Sequence, residues 1–272
     1  MSASIVIRTT GARPRGLQRA VASVLNQSAG DAQAIVVGDG VDPSPQLTSF
    51  ADRRLRILVQ PKAGRSATGN AGYAAIETPF LGFLDDDDEL LPEHVAQLQA
   101  ALTAAPETVA AYGFWEEIRV RGADDAARDV SIRQRGVVPF SRAALWMRNY
   151  LPIQSVLFRR SALGQDRPFD ERLDALEDWD LWLRLSRKGD FAAVTETTSR
   201  YRKAASQREQ ADRAVLHLAA HAYLAGKHGM TDVTFRFGEF QILDAYIRDH
   251  LDEITGFRDS VGRIWRRLRQ GY

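Results

Sequence analysis

Phe80-Leu81-Gly82-Phe83-Leu84-Asp85-Asp86-Asp87-Asp88-Glu89 is an uncharged run of strand length that ends in four aspartates and a glutamate. An apolar run that stops abruptly in charge reads as a buried strand reaching the edge of a sheet. Two similar runs lie upstream. Ser4-Ile5-Val6-Ile7-Arg8 is the first, and Ala34-Ile35-Val36-Val37-Gly38 the second, closed by the turn signal Gly38-Asp39-Gly40. Leu55, Ile57 and Val59 alternate, as in a further strand. Helical spacings fall between them. Leu17, Val21, Val24 and Leu25 form one helix, and Ser66 to Ile76 another, weakened by Gly69 and Gly72. Pro92 is expected to open a third helix, with Val95, Leu98 and Leu102 on one face. Strands alternating with helices predict an α/β fold with a mainly parallel central sheet flanked by helices.

Beyond this region the pattern loosens. The segment from about Glu116 to Asn149 is rich in Arg and Asp and reads as loops covering a site. Ser155 to Phe158 reads as a strand, Asp178 to Arg187 as a helix apolar on most sides and hence buried, and Phe191 to Val194 as another strand. From about Ser206 onward the chain reads as helical to its end. The expected division is a domain over residues 1–204 and a C-terminal helical extension over 205–272.

Composition narrows the function. With 36 basic and 35 acidic residues, the net charge of +1 argues against binding nucleic acid through a broad basic surface. The chain has no cysteine, so disulfides and Cys-based zinc sites are ruled out. Met1 to Ile7 lacks a basic n-region, and no stretch approaches the ~20 apolar residues of a membrane helix. The expected location is cytoplasmic, or peripheral to the inner face of a membrane.

Three segments carry candidate chemistry. Adjacent carboxylates such as Asp85 to Asp88 repel one another, so holding them together calls for a cation, and hard oxygen ligands suit Mg²⁺ or Mn²⁺. Ligands of open α/β sheets bind beyond the carboxyl ends of strands, where this run lies. A solvated acidic loop before a helix is the plainer alternative. Asp39 could accept a hydrogen bond from a nucleobase N–H, or simply close a turn. In Leu176-Glu177-Asp178-Trp179-Asp180-Leu181-Trp182, the acidic residues either serve the helix dipole or supply a general base. The tryptophans either stack on sugar rings or fill the core.

In order and spacing these segments resemble the family 2 glycosyltransferases of bacterial type. The resemblance covers roughly residues 4 to 202. It runs through Ser4 to Thr9, Ser23 to Gln27, Ile35 to Gly40, Gly64 to Gly72, Phe83 to Asp88, Ser155 to Arg160 and Glu177-Asp178-Trp179. It implies a GT-A, Rossmann-like fold with a nucleotide-binding half over about 1–115 and an acceptor half over about 116–204. It further implies transfer of a sugar from a nucleoside-diphosphate donor, usually UDP-linked, to a sugar or lipid-linked glycan by a metal-dependent inverting displacement. Thr9 and Asp39 would hold the base. Arg65, Asn70, Asp85, Glu177 and Trp179 would line the substrate. Asp87 with Asp85 would bind Mn²⁺ or Mg²⁺, the register favouring Asp85, Asp87 and Asp88 over Asp86. Asp178 would be the catalytic base. Three positions depart from the family pattern. Arg8 stands where many relatives have Pro. Gly69 replaces a frequent Arg, for which Arg65 could substitute. Lys203-Ala204-Ala205 follows Tyr201-Arg202 where many relatives carry a His. The rival readings are a sugar-nucleotide nucleotidyltransferase, which lacks its triphosphate loop here, and an inactive scaffold, against which the retained aspartates argue.

His217 and His221 are four apart on a helix but lack the Glu of the zinc-protease motif, so they read as ordinary histidines, as does His94. Near the C-terminus, Val261, Ile264, Trp265 and Leu268 make an apolar stripe interleaved with Arg263, Arg266, Arg267 and Arg269. Such a helix could lie on an anionic membrane, pack on its own domain or form a homodimer contact.

Overall fold

A computed structural model of the chain describes residues 2–122, 128–136, 139–173, 175–204 and 207–230. The first part is the predicted α/β alternation. The strands are β1 (Ala3–Thr9), β2 (Gln33–Asp39), β3 (Leu55–Gln60) and β4 (Phe80–Asp85), with α1 (Pro14–Leu25) and α2 (Arg65–Ala74) crossing over between them. These four strands are parallel and lie in the order β3-β2-β1-β4. β1 and β2 are buried almost throughout because both faces of the sheet are covered. Ile5, Ile7 and Val36 face α1, where Leu17, Val21 and Val24 are fully buried. Val6, Ile35 and Val37 face the opposite layer, which includes Phe169, Trp179 and Trp182. Each such Leu or Val stabilises the fold by about 1.5–3 kcal/mol relative to exposure.

Past β4 the sheet becomes mixed. The short β5 (Glu89–Leu90) precedes α3 (His94–Ala104), which starts two residues later than Pro92 implied. β6 (Ala110–Arg121) and β7 (Arg128–Arg135) then form an antiparallel pair, of which the part from Glu116 onward lies where the sequence suggested loops. Most of β7 is exposed, and its apolar alternation is confined to Val130 and Ile132, too short to mark a strand. α4 (Arg142–Met147) and β8 (Val156–Arg159) follow. β8 joins the halves of the sheet, antiparallel to β4 on one side and to β6 on the other. After α5 (Glu177–Ser186), β9 (Phe191–Ala204) lies parallel to β6 and runs ten residues beyond the predicted Val194. Its added length is polar (Thr197, Thr198, Ser199), which hid it.

α6 (Gln207–His228) closes the described part, with Ala220 and Leu224 buried in the core. No helix among the described residues is long and apolar enough to cross a membrane. The predicted basic stripe from Val261 to Arg269 lies outside the described residues.

Candidate active site

The carboxyl ends of β1, β2 and β4 deliver Arg8, Thr9, Asp39 and Asp85 to one edge of the sheet. The β2 end turns sharply. A Cβ on Gly38 would lie 2.0 Å from the Val41 carbonyl, and Gly40 has φ of +72°, so only glycine suits both positions. The turn leaves Asp39 accepting from Ala63 N–H at 2.7 Å and Gly64 N–H at 3.2 Å, just ahead of α2. A carboxylate there is favoured by the helix dipole and tethers β2 to α2.

The centre of the site is an ion-pair cluster. Arg8 donates from Nε at 2.9 Å and Nη2 at 2.6 Å to the same oxygen of Asp85, and from Nη1 at 2.8 Å to Glu177. Arg65, at the start of α2, donates to the other Asp85 oxygen at 2.6 Å and lies 3.2 Å from Glu177. Burial alone would raise the pKa of Asp85, but Arg8 and Arg65 outweigh it and hold it at about 2. The arginine that departs from the family pattern thus shares with Arg65 the compensation of Asp85 and the buried Glu177.

The other aspartates of the run diverge. Asp86 points inward, accepting from the Thr9 hydroxyl at 2.6 Å and from Arg13 at 2.8 Å. Thr9 is itself buried, and its oxygen accepts from Gly11 N–H, so it supports the aspartate turn from beneath instead of facing a base. Asp88 is buried against β9, accepting from Arg202 N–H at 2.8 Å. Asp87 has the most exposed side chain of the Asp85, Asp86 and Asp87 trio, and its nearest cation is Arg13 at 3.5 Å. Burial raises its pKa, and the charges of Asp85 and Asp86 raise it further.

No group of three or more His, Cys, Asp or Glu among the described residues is arranged to hold a metal ion. The donor set nevertheless suits a cation that takes one or two carboxylates and fills its shell with phosphate and water. Asp87 is accessible and sits in surplus negative charge. Asp85, expected as its partner, has both oxygens bonded by arginine.

Asp178 lies in the first turn of α5, half-buried. Burial pushes its pKa up to about 7, and the neighbouring charge of Glu177 adds to this, against the opposing pull of Arg65 and a hydrogen bond with Asn149. Two other expected substrate contacts are engaged elsewhere. Trp179 is 2% exposed and donates from Nε1 to the Leu145 carbonyl, so its ring belongs to the core. Asn70 is bonded to Phe169 and Glu171. Glu177 faces Arg8 and Arg65 and is likewise a buried support. The sequence reading passed over Arg13, Asn149 and Phe169, which carry no local signal of their position. Only Pro14, at the start of α1, hinted that Arg13 begins a helix.

The family model described as "Glycosyl transferase family 2" matches residues 4–159, which span β1 to β8. The chain belongs to glycosyl transferase family 2. Among curated relatives, this chain is 28% identical over 190 residues to the O-antigen biosynthesis protein RfbC of Myxococcus xanthus, a match covering 67% of the chain and 14% of the relative. It is 29% identical over 184 residues to the pre-mycofactocin glycosyltransferase of Mycobacterium tuberculosis, covering 64% of the chain and 37% of the relative. The chain thus spans well under two thirds of these relatives' length. The crystal structure of S. aureus TarS 1-349 in complex with UDP-GlcNAc superposes with a TM-score of 0.60 at 14% identity, over 93% of this chain and 73% of that one. That likeness establishes the GT-A fold of the chain.

Proposed function

We propose that this glycosyltransferase moves a sugar from a UDP-linked donor to an acceptor hydroxyl by a single inverting displacement, in the assembly of a bacterial polysaccharide or glycoconjugate. One observation carries the reading. Arg65 bonds Asp85 at the end of β4 and also feels the charges of Glu177 and Asp178 at the start of α5, so the candidate base and the donor-side carboxylates meet around one cation. The UDP donor is supported by Asp39 at the β2 edge and by the UDP-GlcNAc complex of TarS, which shares the fold. The polysaccharide setting is supported by the relationship to RfbC.

A sugar hydroxyl is a poor nucleophile, and a carboxylate within hydrogen-bond reach can take its proton during attack. Asp178 fills that role, with Asn149 orienting its carboxylate. Arg65 lowers the cost of negative charge at the site. Asp87 would hold Mg²⁺ or Mn²⁺, which when bound offsets charge on the departing diphosphate. Asp39 fixes the β2–α2 turn beside which a nucleoside would lie.

The test is a panel of nucleotide sugars with Mg²⁺ or Mn²⁺, monitored for diphosphate release and for thermal stabilisation, which binding to the native state must produce. Stabilisation and turnover with UDP-linked donors are expected. A panel in which no UDP compound stabilises the protein, with either metal, overturns the assignment.

A further inference from the structure

α5 begins in an unusual way. Leu176, immediately before Glu177 and Asp178, has φ of 59° and is the single non-glycine residue with positive φ among the described residues. It makes no side-chain cap to the helix. A strained start of this kind persists only where its surroundings over-determine it.

The surroundings that hold α5 include α6. Asp180, two residues past Asp178, is fully buried and accepts from three basic side chains. Arg184 Nε is 2.9 Å from one oxygen, and Lys227 Nζ at 2.7 Å and His228 Nε2 at 2.8 Å share the other. Lys227 reaches a second carboxylate at the same time, Asp170 Oδ2 at 2.8 Å, which also accepts from the Tyr223 hydroxyl at 2.8 Å and Arg172 at 2.9 Å. A primary ammonium has three donors, so one lysine can bridge two acids. Asp170 follows Phe169, whose ring lies beneath the Arg8 guanidinium, 5.4 Å from its carbon. Two short routes therefore run from Lys227 to the site. One passes through Asp180 along α5 to Asp178. The other passes through Asp170, Phe169 and Arg8 to Asp85 and Glu177.

We infer that Lys227 is a positioning residue for transfer: by bridging Asp170 and Asp180 it locks α5 to the segment that supports Arg8, and so fixes Asp178 relative to the donor-side carboxylates. The inference rests on the reading of Asp178 as base. It assigns a role in the reaction to a residue beyond the part matched by the family model, which ends at residue 159. Misplacing a reacting group by an ångström costs on the order of a hundredfold in rate, so a lock of this kind acts on turnover. Asp39 and β2 lie on neither route, so the nucleoside contact read for Asp39 does not depend on it.

The test uses the full chain and the nucleotide sugar that the panel identifies. Lys227→Met is expected to lower kcat by roughly tenfold or more while donor KM and calorimetric UDP affinity stay within about threefold. Lys227→Arg, which keeps the charge, is expected to restore most of kcat. Tyr223→Phe removes one hydrogen bond from the same lock and serves if Lys227→Met does not fold; a drop in kcat of severalfold is expected. A folded Lys227→Met, or failing that a folded Tyr223→Phe, with wild-type kcat overturns the inference. So does a loss spread equally over kcat, KM and UDP affinity. Asp178→Asn, run alongside, separates the two readings. If it keeps turnover, the base assignment fails and takes this inference with it. If it is inactive while Lys227→Met turns over normally, the positioning role alone fails.

Discussion

The side-chain amide of Asn70 and the backbone of Phe169 hold each other by two reciprocal hydrogen bonds, Nδ2 to the carbonyl at 3.0 Å and the Phe169 N–H to Oδ1 at 3.0 Å. The contact pins α2 to the segment before α5, 99 residues later in the chain. Asn70→Ala would leave a buried N–H and carbonyl without partners, at a cost of about 1–3 kcal/mol each. Urea unfolding of Asn70→Ala is expected to show a loss of that order, with UDP affinity unchanged where the variant is folded. A selective loss of UDP binding at normal stability would return Asn70 to the substrate.

Asp178 must be ionised to accept a proton, and its pKa is pushed up to about 7. kcat/KM is therefore expected to rise with pH at unit slope and to level off above about 7. The sign for stability is opposite. The native state holds this proton more tightly than the unfolded chain, so the contribution of Asp178 is fully present below the ordinary carboxylate range and is lost as pH rises through 7. Asp178→Asn is expected to abolish turnover, to leave donor binding nearly intact and to flatten that decline in stability. A variant with near-normal turnover would reduce Asp178 to a helix-start residue.

Asp86 and Asp87 are neighbours with opposite expected phenotypes. Asp86→Ala strips the carboxylate from Thr9 and the nearer of two carboxylates from Arg13, and should destabilise the fold by about 1–3 kcal/mol. Asp87→Ala should leave thermal stability almost unchanged and abolish the metal-dependent part of UDP affinity. Calorimetry with and without Mn²⁺, beside melting curves, separates them. Exchanged phenotypes would move the metal ligand to Asp86.

Arg8→Met would leave Asp85 and Glu177 with Arg65 as their remaining close cation. Leaving a buried carboxylate wholly unpaired costs about 3–5 kcal/mol, and because Arg65 stays beside both acids, denaturant unfolding should show a loss below that range. The Asp85 pKa is depressed, so its stabilising contribution is present above the ordinary carboxylate range and is lost as pH falls through about 2. The gap between wild type and Asp85→Asn should accordingly narrow on acidification. A gap independent of pH would remove the ion pair as its cause.

The parallel half of the sheet was legible because β1, β2 and β4 are each an apolar run closed by charge or by glycine, a pattern set by burial on both faces. The β6–β7 pair was not. Arg128 to Gln134 are exposed, and two alternating apolar residues, Val130 and Ile132, are too few to distinguish such a strand from a loop. The site was legible as positions but not as directions. Strand order places Thr9, Asp85 and Asp86 at one edge, yet whether a side chain faces solvent or protein depends on partners far away in sequence. Thr9 faces inward because Asp86 lies above it, and Trp179 faces inward because the Leu145 carbonyl awaits its indole N–H. Phe169 could not be found from sequence at all, since its role exists only where Arg8 and Asn70 converge on it.

β7 pairs with β6 alone and stands off the main path of the sheet. The main path of strands is continuous without it, β6 being flanked in its first half by β8 and β9. Residues added to, removed from or exchanged within this hairpin would not require the chain to be re-threaded. Such an appendage can diverge while the catalytic frame stays fixed. For anyone seeking to alter the protein, an exchange confined to β7 would leave the ladders of β6 with β8 and β9 in place.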